Sequence, residues 1–492
     1  MDNQNNISHS MSWSFAEKAL TEIFKIIISI VLARILLPND FGTVAIIEVF
    51  VSIFSIFVMF GFGTSLVQKK NPTEEDYRVM FYSNALIGII LYLILFFASP
   101  FISSFYNNNS LCILLRVLGI KLPLGSVYSI QEARIQKRME FKKFFFSSLA
   151  GTIIGGTVGI VLAVNGAGVW ALVAYPLVDQ AIDSLVLFFI TRWFPKPIIS
   201  ISSIKKCGPM YKYGSRILAS ELIGRMSDHI RMLAIGKVYS SEDLAYNSKG
   251  QKFPQVLIDT IDTTVIRVMF PELSRRQESK ESVVEVSRKT IQVCSFLLAP
   301  LVAGMIATAN IFVPLVYGTH WVDCVPYVQL YCVAFVFNPI QLINIKMIQA
   351  SGRSDITLKT QIIKVFLSLS IIFLTLLLFK NPISIVVSYI IYMFITLFIN
   401  SFPCKKLFGY GLFSEIRDVF SSLLLAAVMG GIVYLFGFMQ IPLLVCFVIQ
   451  VLVGGVIYFS MSWFFKIKPF MYLLSFIKTK INRGKCDDNN KN

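Results

Sequence analysis

Apolar residues in this chain form long runs that are separated by short polar stretches. A helix needs about 20 apolar residues to cross a bilayer, and about fourteen segments approach that length. Helices satisfy every backbone group inside hydrocarbon, so we expect an all-α polytopic membrane protein. The predicted helical cores are 14–36, 42–67, 79–102, 111–133, 143–164, 169–191, 215–239, 244–270, 288–316, 325–350, 356–379, 382–402, 415–438 and 441–465.

The loops between these segments alternate in charge along the chain. One set of loops, together with the C-terminal tail, contains most of the basic residues, as in 134–143 and 192–212. The opposite loops, such as L-P-N-D at 37–40 and N-G-A-G at 165–168, are short and nearly uncharged. Because cytoplasmic loops are rich in Lys and Arg, both termini are predicted to be cytoplasmic.

The composition agrees with a membrane protein. Of the 492 residues, 55% are hydrophobic and 15% are charged, and the mean hydropathy is +0.69. The basic loops explain the net charge of +17, which therefore does not indicate a nucleic-acid partner. The eight cysteines form no C-x-x-C motif and the three histidines are far apart, so we expect no metal site and no cofactor.

A weak internal repeat divides the chain. An offset of 203 residues aligns Arg34 with Lys237 and Asp40 with Asp243, on either side of the basic linker between the sixth and seventh segments. Six is an even number of spans, so the two halves would have the same orientation. The predicted domains are an N-terminal lobe at 1–200, a C-terminal lobe at 201–403, two further helices at 404–470 and a basic, polar tail at 471–492.

Basic residues lie inside segments that otherwise resemble membrane spans. A charge at the centre of a bilayer costs about 2.5–3.5 kcal/mol on insertion scales, so such residues favour a bundle interior or a watery cavity. We hypothesise that a subset forms a site for an anionic cargo. Lys346 and Lys364 could instead extend to the cytoplasmic interface, and Arg116 to the outer one. The candidates are Arg116, Lys121, Arg225, Arg231, Lys346 and Lys364.

The same offset of 203 relates two charged triplets of inverted sign. The first segment contains Lys18, Glu22 and Lys25, and the seventh contains Glu221, Arg225 and Asp228. One hypothesis is that the triplets pair between lobes and change partners as access alternates. The alternative is pairing within each helix between residues i and i+4.

Two aspartates and a glycine stripe mark the fifth and sixth segments. Asp179 and Asp183 lie one helical turn apart and could carry a coupling proton or sodium ion, although structural pairing with a cation is an equal alternative. Gly151, Gly155 and Gly159 repeat every four residues, which favours close helix packing, with bending of the helix during transport as the alternative. Pro176 in the sixth segment and Pro339 in the tenth could kink those helices.

Several motifs resemble one family of transporters. L-A-R-I-L-L-P-N-D-F-G at 32–42, G-F-G-T-S-L-V-Q-K-K at 61–70, R-I-Q-K-R-M-E-F-K-K at 134–143 and F-P-E-L-S-R at 270–275 resemble Wzx-type and WzxC-like polysaccharide flippases of the MOP exporter superfamily. This resemblance implies two six-helix lobes around a central cavity and transport by alternating access, without covalent catalysis. It also implies a bacterial inner-membrane location and an undecaprenyl-diphosphate-linked oligosaccharide as cargo, for polymers such as O-antigen or exopolysaccharide. Membrane lipids, a polysaccharide polymerase and glycosyltransferases are the other implied partners.

Two other functions are weighed against this one. A MATE-like multidrug antiporter of the same superfamily would favour a net acidic cavity, whereas the candidates above are mainly cations. A membrane-embedded polysaccharide polymerase or ligase would be expected to present a large outer loop with catalytic residues, whereas the outer loops predicted here are short.

Overall fold

The computed structural model describes residues 2–196, 201–275 and 279–475. Over these ranges the chain is helical, with short turns and no β-strand. The helices of the first half are α1 Asp2–Ile35, α2 Pro38–Phe60, α3 Phe62–Gln68, α4 Glu74–Tyr106, α5 Ser110–Leu118, α6 Lys121–Arg138, α7 Phe141–Val164, α8 Val169–Thr191, α9 Ile201–Lys206 and α10 Gly208–Val238. They are followed by α11 Ser241–Arg275, α12 Lys280–Tyr317, a 3-10 helix at Thr319–Cys324, α13 Val325–Phe335, α14 Asn338–Ala350, α15 Ser354–Leu378, α16 Ile383–Phe408, α17 Leu412–Phe436 and α18 Leu443–Phe464.

The predicted fold class, an all-α polytopic membrane protein, is confirmed. Within the described residues, 11 helical segments are long and apolar enough to cross a membrane. The other three predicted spans coincide with α1, α10 and α11, which are 34, 31 and 35 residues long but contain more ionisable side chains. The charged side chains of these three helices lower their mean hydropathy, so they are not among the 11 segments that are apolar enough to cross a membrane. The total of fourteen spans therefore stays a prediction.

Three predicted spans are each built from two shorter helices. These are α2 with α3, α5 with α6, and α13 with α14. The first two breaks occur next to Gly61 and Gly119, and the third lies just before Pro339, in the first turn of α14. Proline fits the first turn of a helix because it lacks an N–H group, which agrees with the break at this position. Helix α8 continues through Pro176, and a kink there stays a prediction.

The helices form two compact units, Met1–Ala245 and Tyr246–Asn492. In the first unit α7 packs against α1 and α8, α4 packs against α5 and α6, and α10 packs against α2 and α3. In the second unit α12 packs against α17, while α16 packs against α13, α14 and α15. The lobes at 1–200 and 201–403 and the helices at 404–470 stay predictions as domains. Most of the predicted tail, from residue 476 onward, lies outside the described residues.

Two aligned aspartates have the same local role. Asp40 accepts a hydrogen bond from the Leu37 backbone N–H at the start of α2, over 3.4 Å. Asp243 accepts one from the Ser240 backbone N–H at the start of α11, over 3.1 Å. Both carboxylates are the third residue of their helices, where they cap free N–H groups. This agreement supports the alignment of the two positions at an offset of 203.

Glycines on α7 bring its backbone close to α8. A Cβ atom at Gly155 would lie 2.8 Å from the Asp179 nitrogen and 2.9 Å from the Tyr175 carbonyl oxygen. A Cβ at Gly151 would lie 2.7 Å from the Asp179 carbonyl oxygen, and one at Gly159 would be 2.9 Å from Tyr175 Cβ. The glycine stripe is therefore required for packing, and it sets the position of Asp179.

A buried amide fixes α6 against α2 and α4. The side-chain nitrogen of Asn84 on α4 lies 3.1 Å from the Val58 carbonyl oxygen, 2.8 Å from the Ser126 carbonyl oxygen and 2.7 Å from Ser129 Oγ. The Asn84 side chain is fully buried. Hydrogen bonds of this kind hold helices together where hydrophobic burial cannot, because lipid is itself apolar.

We expect Gly155→Leu to destabilise the protein. Its side chain would collide with backbone atoms of α8, which cannot move aside without separating the helices, and overpacking typically costs about 1–3 kcal/mol. Gly431→Leu is the matched control, since a Cβ at Gly431 on α17 meets nothing within 4 Å. Thermal unfolding of the purified proteins in detergent checks the prediction: only Gly155→Leu should lower the midpoint. An unchanged midpoint for Gly155→Leu would contradict the packing role.

Candidate functional site

Ionisable side chains from four helices lie close together in the first unit, most of them half-buried. Each has an electrostatic interaction with at least one other member or with a tyrosine between them. We call this group the charge cluster. Its members are Glu17, Lys18, Glu22 and Lys25 on α1, Glu48 on α2, Lys121 and Glu132 on α6, and Asp179 and Asp183 on α8.

Lys121 is the basic group at the centre of the cluster. It interacts electrostatically with the carboxylates of Glu48 and Asp179 and with the ammonium group of Lys25. Its ammonium group forms no direct hydrogen bond or ion pair with any residue that the structure describes. Lys121 is thus attracted by two acids on different helices without being fixed to either, so it can accept an anionic ligand.

Asp179 is held in place by its neighbours on α7. The Thr152 hydroxyl donates a hydrogen bond to Asp179 Oδ1 over 3.2 Å, and the glycine stripe lies against the same turn of α8. Lys25 and Lys121 are the cations that attract the carboxylate. The alternative reading of Asp179, structural pairing with a cation, therefore has support, and a role in ion coupling stays a prediction.

Asp183 lies in a more acidic part of the cluster. Its carboxylate has the hydroxyl groups of Tyr128 and Ser147 beside it, and its electrostatic neighbours are Asp179 and Glu17. The Oδ1 atom is buried and lacks a hydrogen-bond partner within the described ranges. Carboxylates that share a site in this way cannot all be ionised at low cost, so this region favours uptake of a proton or a cation.

Glu132 extends this acidic region along α6. It interacts with Asp183, Glu17 and Lys18, and its Oε1 accepts a hydrogen bond from Gln136 over 3.0 Å. Glu17 in turn accepts a hydrogen bond from the Ser148 hydroxyl on α7, also over 3.0 Å. Sequence reasoning missed Glu17, Glu48 and Glu132 as site residues. All three lie inside predicted spans, so the charge of each was the available signal.

The charge cluster is acidic overall. It contains six carboxylates and three lysines, so it does not show the surplus of cations that the sequence predicts for the cavity. The predicted surplus of cations came from counting basic residues alone. The acidic residues beside them lie on helices that are distant in sequence, so the predicted and observed charge balance differ. A site of mixed charge can compensate a bound cation or, through Lys121, a bound anion.

The other basic residues predicted as site residues in the first unit contact partners outside the charge cluster. Arg116 donates a hydrogen bond to the Ser99 hydroxyl over 2.9 Å and stacks on Phe96, with 4.2 Å between the guanidinium carbon and the ring centre. Arg225 is exposed and pairs with Glu221 over 3.2 Å, and the buried Arg231 pairs with Asp228 over 3.4 Å. The structure thus places Lys121, and not these three arginines, in the charge cluster.

The two predicted cations of the second unit also differ from each other. Lys346 on α14 donates a hydrogen bond to the Gln349 side chain over 3.0 Å. Lys364 on α15 is only 9% exposed, and the residues described in the structure offer it no hydrogen bond or ion pair. An uncompensated lysine inside a membrane bundle is a strong candidate for function. A role for either lysine in cargo binding stays a prediction.

The two charged triplets have identifiable neighbours in this conformation. Glu22 and Lys25 on α1 face Tyr175 and Asp179 on α8. On α10, Glu221 pairs with Arg225 one turn away. The alternative of pairing within the helix is therefore present on α10, and an exchange of partners between the triplets stays a prediction.

The motif residues near the basic ends of the helices form a second ionic network. The buried guanidinium group of Arg134 on α6 donates to Glu74 over 2.7 Å and lies 4.8 Å from the ring centre of Trp193. The indole N–H of Trp193 donates to the same Glu74 oxygen over 3.0 Å. Lys69 pairs with Asp76 over 2.6 Å at the start of α4. These contacts join α3, α4 and α6 to the chain that follows α8.

Comparison with known proteins gives both a family and a fold. A family profile described as "Polysaccharide biosynthesis protein" matches residues 31–326. The chain is 24% identical over 329 residues to the succinoglycan biosynthesis transport protein ExoT of Rhizobium meliloti (strain 1021), covering 67% of this chain and 66% of ExoT. It is 26% identical over 354 residues to the lipopolysaccharide biosynthesis protein WzxC of Escherichia coli (strain K12), covering 68% of each. The matches thus span about two thirds of each relative.

The fold is similar to that of a solved flippase. The structure of the lipid II flippase MurJ in an inward closed conformation superposes with a TM-score of 0.74 and 15% sequence identity, covering 92% of this chain and 98% of MurJ. At this identity the likeness shows a shared fold. The resemblance of the sequence to WzxC-like proteins of polysaccharide biosynthesis is confirmed.

We expect Lys121 and Asp179 to be energetically coupled. Lys121→Gln should destabilise the protein because it leaves Asp179 and Glu48 without this cation, and Asp179→Asn in the same chain should restore part of the loss. A double-mutant cycle on thermal or denaturant unfolding in detergent should give a coupling of about 0.5–3 kcal/mol. The matched control pairs Asp179→Asn with Arg116→Gln, whose effects should add. Additive effects for Lys121 and Asp179 would contradict the cluster.

Proposed function

This chain belongs to the polysaccharide biosynthesis protein family, and we propose that it moves polyprenyl-diphosphate-linked oligosaccharide repeat units across the bacterial cytoplasmic membrane. The family match over residues 31–326 is the observation that carries the proposal. The names of ExoT and WzxC, which describe polysaccharide transport and biosynthesis, support this class of cargo. The protein would serve surface-polysaccharide synthesis as a transporter, without covalent catalysis.

The chemistry of the cargo explains a need for mixed charge inside the bundle. A diphosphate and its sugars must cross a region where lipid solvates neither of them. Lys121 can bind the diphosphate, because its ammonium group has no direct protein partner among the described residues and lies inside the first unit. As the anion arrives, Lys121 turns from Glu48 and Asp179 towards the phosphate, and the two carboxylates lose part of their compensation. Cargo binding then favours uptake of a cation by the cluster.

Asp183 and Glu132 are the groups that would take up this cation. They interact with each other and with Glu17, and Asp183 Oδ1 is buried without a hydrogen-bond partner in the described structure. Neutralising one of them relieves repulsion among the carboxylates. We propose that a proton or sodium ion bound here is exchanged during transport, so that an ion gradient drives the movement of the cargo.

Contacts near the uncharged loops of the first unit fit a gate that opens during alternating access. Tyr106 donates a hydrogen bond to the Leu233 carbonyl oxygen over 3.2 Å, and Lys237 donates one to the Phe105 carbonyl oxygen. Gly42 approaches Ser241 so closely that a Cβ atom would collide with its backbone. These contacts join α2 and α4 to α10 and the residues that follow it. We propose that they separate when the cargo leaves towards the outer leaflet.

The orientation and partners follow from the same proposal. Both termini would be cytoplasmic, where glycosyltransferases assemble the repeat unit on its lipid carrier. A polysaccharide polymerase would receive the repeat unit on the outer side. The basic ends of α6 and α16 would then lie at the cytoplasmic surface, as the enrichment of Lys and Arg in inner loops requires.

A second candidate function is an ion-coupled, MATE-like multidrug antiporter. The acidic balance of the charge cluster favours it, since six carboxylates around three lysines can attract an organic cation. The family match favours lipid-linked sugars instead. The two functions predict different phenotypes: loss of surface polymer for the first, and loss of drug resistance for the second.

Deletion of the gene from its host should leave lipid-linked repeat units on the cytoplasmic face of the membrane and remove the corresponding surface polymer. The reason is that the cargo cannot cross hydrocarbon unaided at a useful rate. Extraction and mass spectrometry of the lipid-linked sugars, with detection of the polymer at the cell surface, check this outcome. Normal surface polymer together with greater sensitivity to cationic drugs would contradict the flippase and support the antiporter.

We expect Lys121→Gln to reduce transport by about tenfold or more, because a lost charge-assisted contact is worth about 1.5–3 kcal/mol. Lys121→Arg should retain much of the activity, since it keeps the positive charge. Lys380→Gln is a matched control in an exposed loop between α15 and α16. The measurement is surface-polymer yield in a deletion strain at equal membrane levels of each variant. Full activity of Lys121→Gln would exclude this lysine from cargo binding.

A further inference from the structure

A pocket at the start of α7 lies apart from the charge cluster and from the proposed outer gate. It has a volume of about 430 Å³ and is open to the surface of the first unit. Its walls come from α1, the turn between α6 and α7, the first turns of α7 and the end of α8. The lining side chains include Trp13, Glu140, Lys142, Lys143, Phe146 and Ile190.

The pocket contains one positive charge that its acidic residue does not balance. Lys143 forms an ion pair with Glu140 over 2.6 Å, so these two charges cancel. Lys142 is exposed, and its ammonium group lies 5.7 Å from the ring centre of Trp13. Across the described ranges of the chain, this ammonium group forms no hydrogen bond or ion pair. Lys142 can therefore bind an anionic group that enters the pocket from outside.

Exposed apolar side chains lie beside this free charge. Phe146 is 48% exposed and Ile190 is 37% exposed. Phe146 follows Lys142 by one helical turn, so both lie on the same face of α7. That face remains apolar and exposed further along the helix, at Ile153 and Val164. A cation at the head of an apolar track is complementary to a phospholipid, which has an anionic phosphate above its acyl chains.

The length of α7 places the pocket at the edge of the bilayer. Its 24 residues span about 36 Å at a rise of about 1.5 Å per residue, which exceeds a hydrocarbon core of about 30 Å. Lys142 is the second residue of this helix, so its ammonium group reaches the headgroup region while Phe146 borders the acyl chains. The segment 134–143 is one of the basic loops predicted to be cytoplasmic, and anionic lipids are enriched in the cytoplasmic leaflet.

Aromatic contacts hold the wall of the pocket in place. The ring of Trp13 packs edge-on against Phe145, with 5.1 Å between the ring centres, and lies 6.3 Å from Phe146. These contacts join α1 to α7, so the ring beside Lys142 is positioned before a ligand binds. A preformed wall reduces the conformational entropy that is lost on binding.

Other occupants fit these features less well. A free phosphate ion would use Lys142 but would leave the apolar side chains uncovered. A zwitterionic phospholipid would bring its own cation next to Lys142. One uncompensated lysine matches one phosphodiester in a lipid that has no positive group, and basic pockets between membrane helices on the cytoplasmic side are known to bind such headgroups.

We propose that this pocket binds one phospholipid with a single net negative charge, such as phosphatidylglycerol, from the cytoplasmic leaflet. Lys142 pairs with the phosphodiester, Trp13 forms the wall beside it, and Phe146 and Ile190 contact the acyl chains. The bound lipid bridges α1, α7 and α8 from outside and thereby stabilises their packing. The site does not depend on the identity of the cargo.

Lipid binding to the full-length protein in detergent tests the proposal by native mass spectrometry. Wild type should bind phosphatidylglycerol more tightly than phosphatidylethanolamine with the same acyl chains. Lys142→Gln should weaken the binding of phosphatidylglycerol about fivefold, since one basic residue near an anionic lipid contributes about that factor. Lys142→Arg should retain the binding, because it keeps the charge.

Lys406→Gln is the matched control, since it removes another exposed lysine from the basic end of α16. It should bind phosphatidylglycerol as wild type does. Thermal unfolding gives a second readout: phosphatidylglycerol should raise the midpoint of wild type and of Lys406→Gln more than that of Lys142→Gln, because a ligand that binds the folded state stabilises it.

Three outcomes would overturn the proposal. One is equal affinity of wild type for the two lipids, and another is equal affinity of wild type and Lys142→Gln for phosphatidylglycerol. The third is displacement of the lipid by inorganic phosphate, which would show a site for a free anion. Because the readouts are lipid binding and unfolding, a failure here leaves the flippase function intact, and a failure of transport leaves this site intact.

Discussion

An ionised side chain inside hydrocarbon needs a counter-charge, a hydrogen bond or water, and this requirement determines how the helices of the first unit meet. Lys121 on α6 is half-buried where Glu48 on α2 and Asp179 on α8 can attract it. That arrangement depends on close packing of α7 and α8, because the glycine stripe lets Thr152 reach Asp179. A larger residue in the stripe would move the carboxylate away from its lysines. Packing and charge compensation are therefore one constraint in this unit.

The two units meet this constraint in different ways. The first gathers many charges of both signs, in which Lys25 and Lys121 attract Asp179 while Asp183 lies beside other acids. The second contains buried ionisable side chains such as Lys364 and Glu415, and Glu415 has the Ser401 hydroxyl and the acid Asp418 as neighbours. A cluster of mutually attracting charges can rearrange at low cost when a ligand enters. An isolated buried charge has one favourable state unless a ligand of opposite sign binds to it.

The positions of the long helices and the protein family could both be predicted from the sequence. Apolar runs located all of the long helices, and Pro339 marked a real break in one of them. The site was only partly predictable. Lys121, Asp179 and Asp183 were identified from the sequence, but the cluster also contains Glu17, Glu48 and Glu132, which were not. Which acid faces which base depends on contacts between helices far apart in sequence, and neither span length nor loop charge contains that information. The motif residue Arg134 pairs with Glu74 near the basic loops, so its contact holds helices together and carries no information about the cargo.

The central claim is that this chain carries a lipid-linked oligosaccharide from one leaflet to the other. Its most direct test is a flipping assay on the purified protein in liposomes that contain a fluorescent polyprenyl-diphosphate-linked oligosaccharide. An impermeant reagent added outside quenches only the label in the outer leaflet. With the protein present and an ion gradient imposed, quenching should proceed well beyond the outer-leaflet fraction. Quenching that stops at the level of protein-free liposomes would contradict the claim.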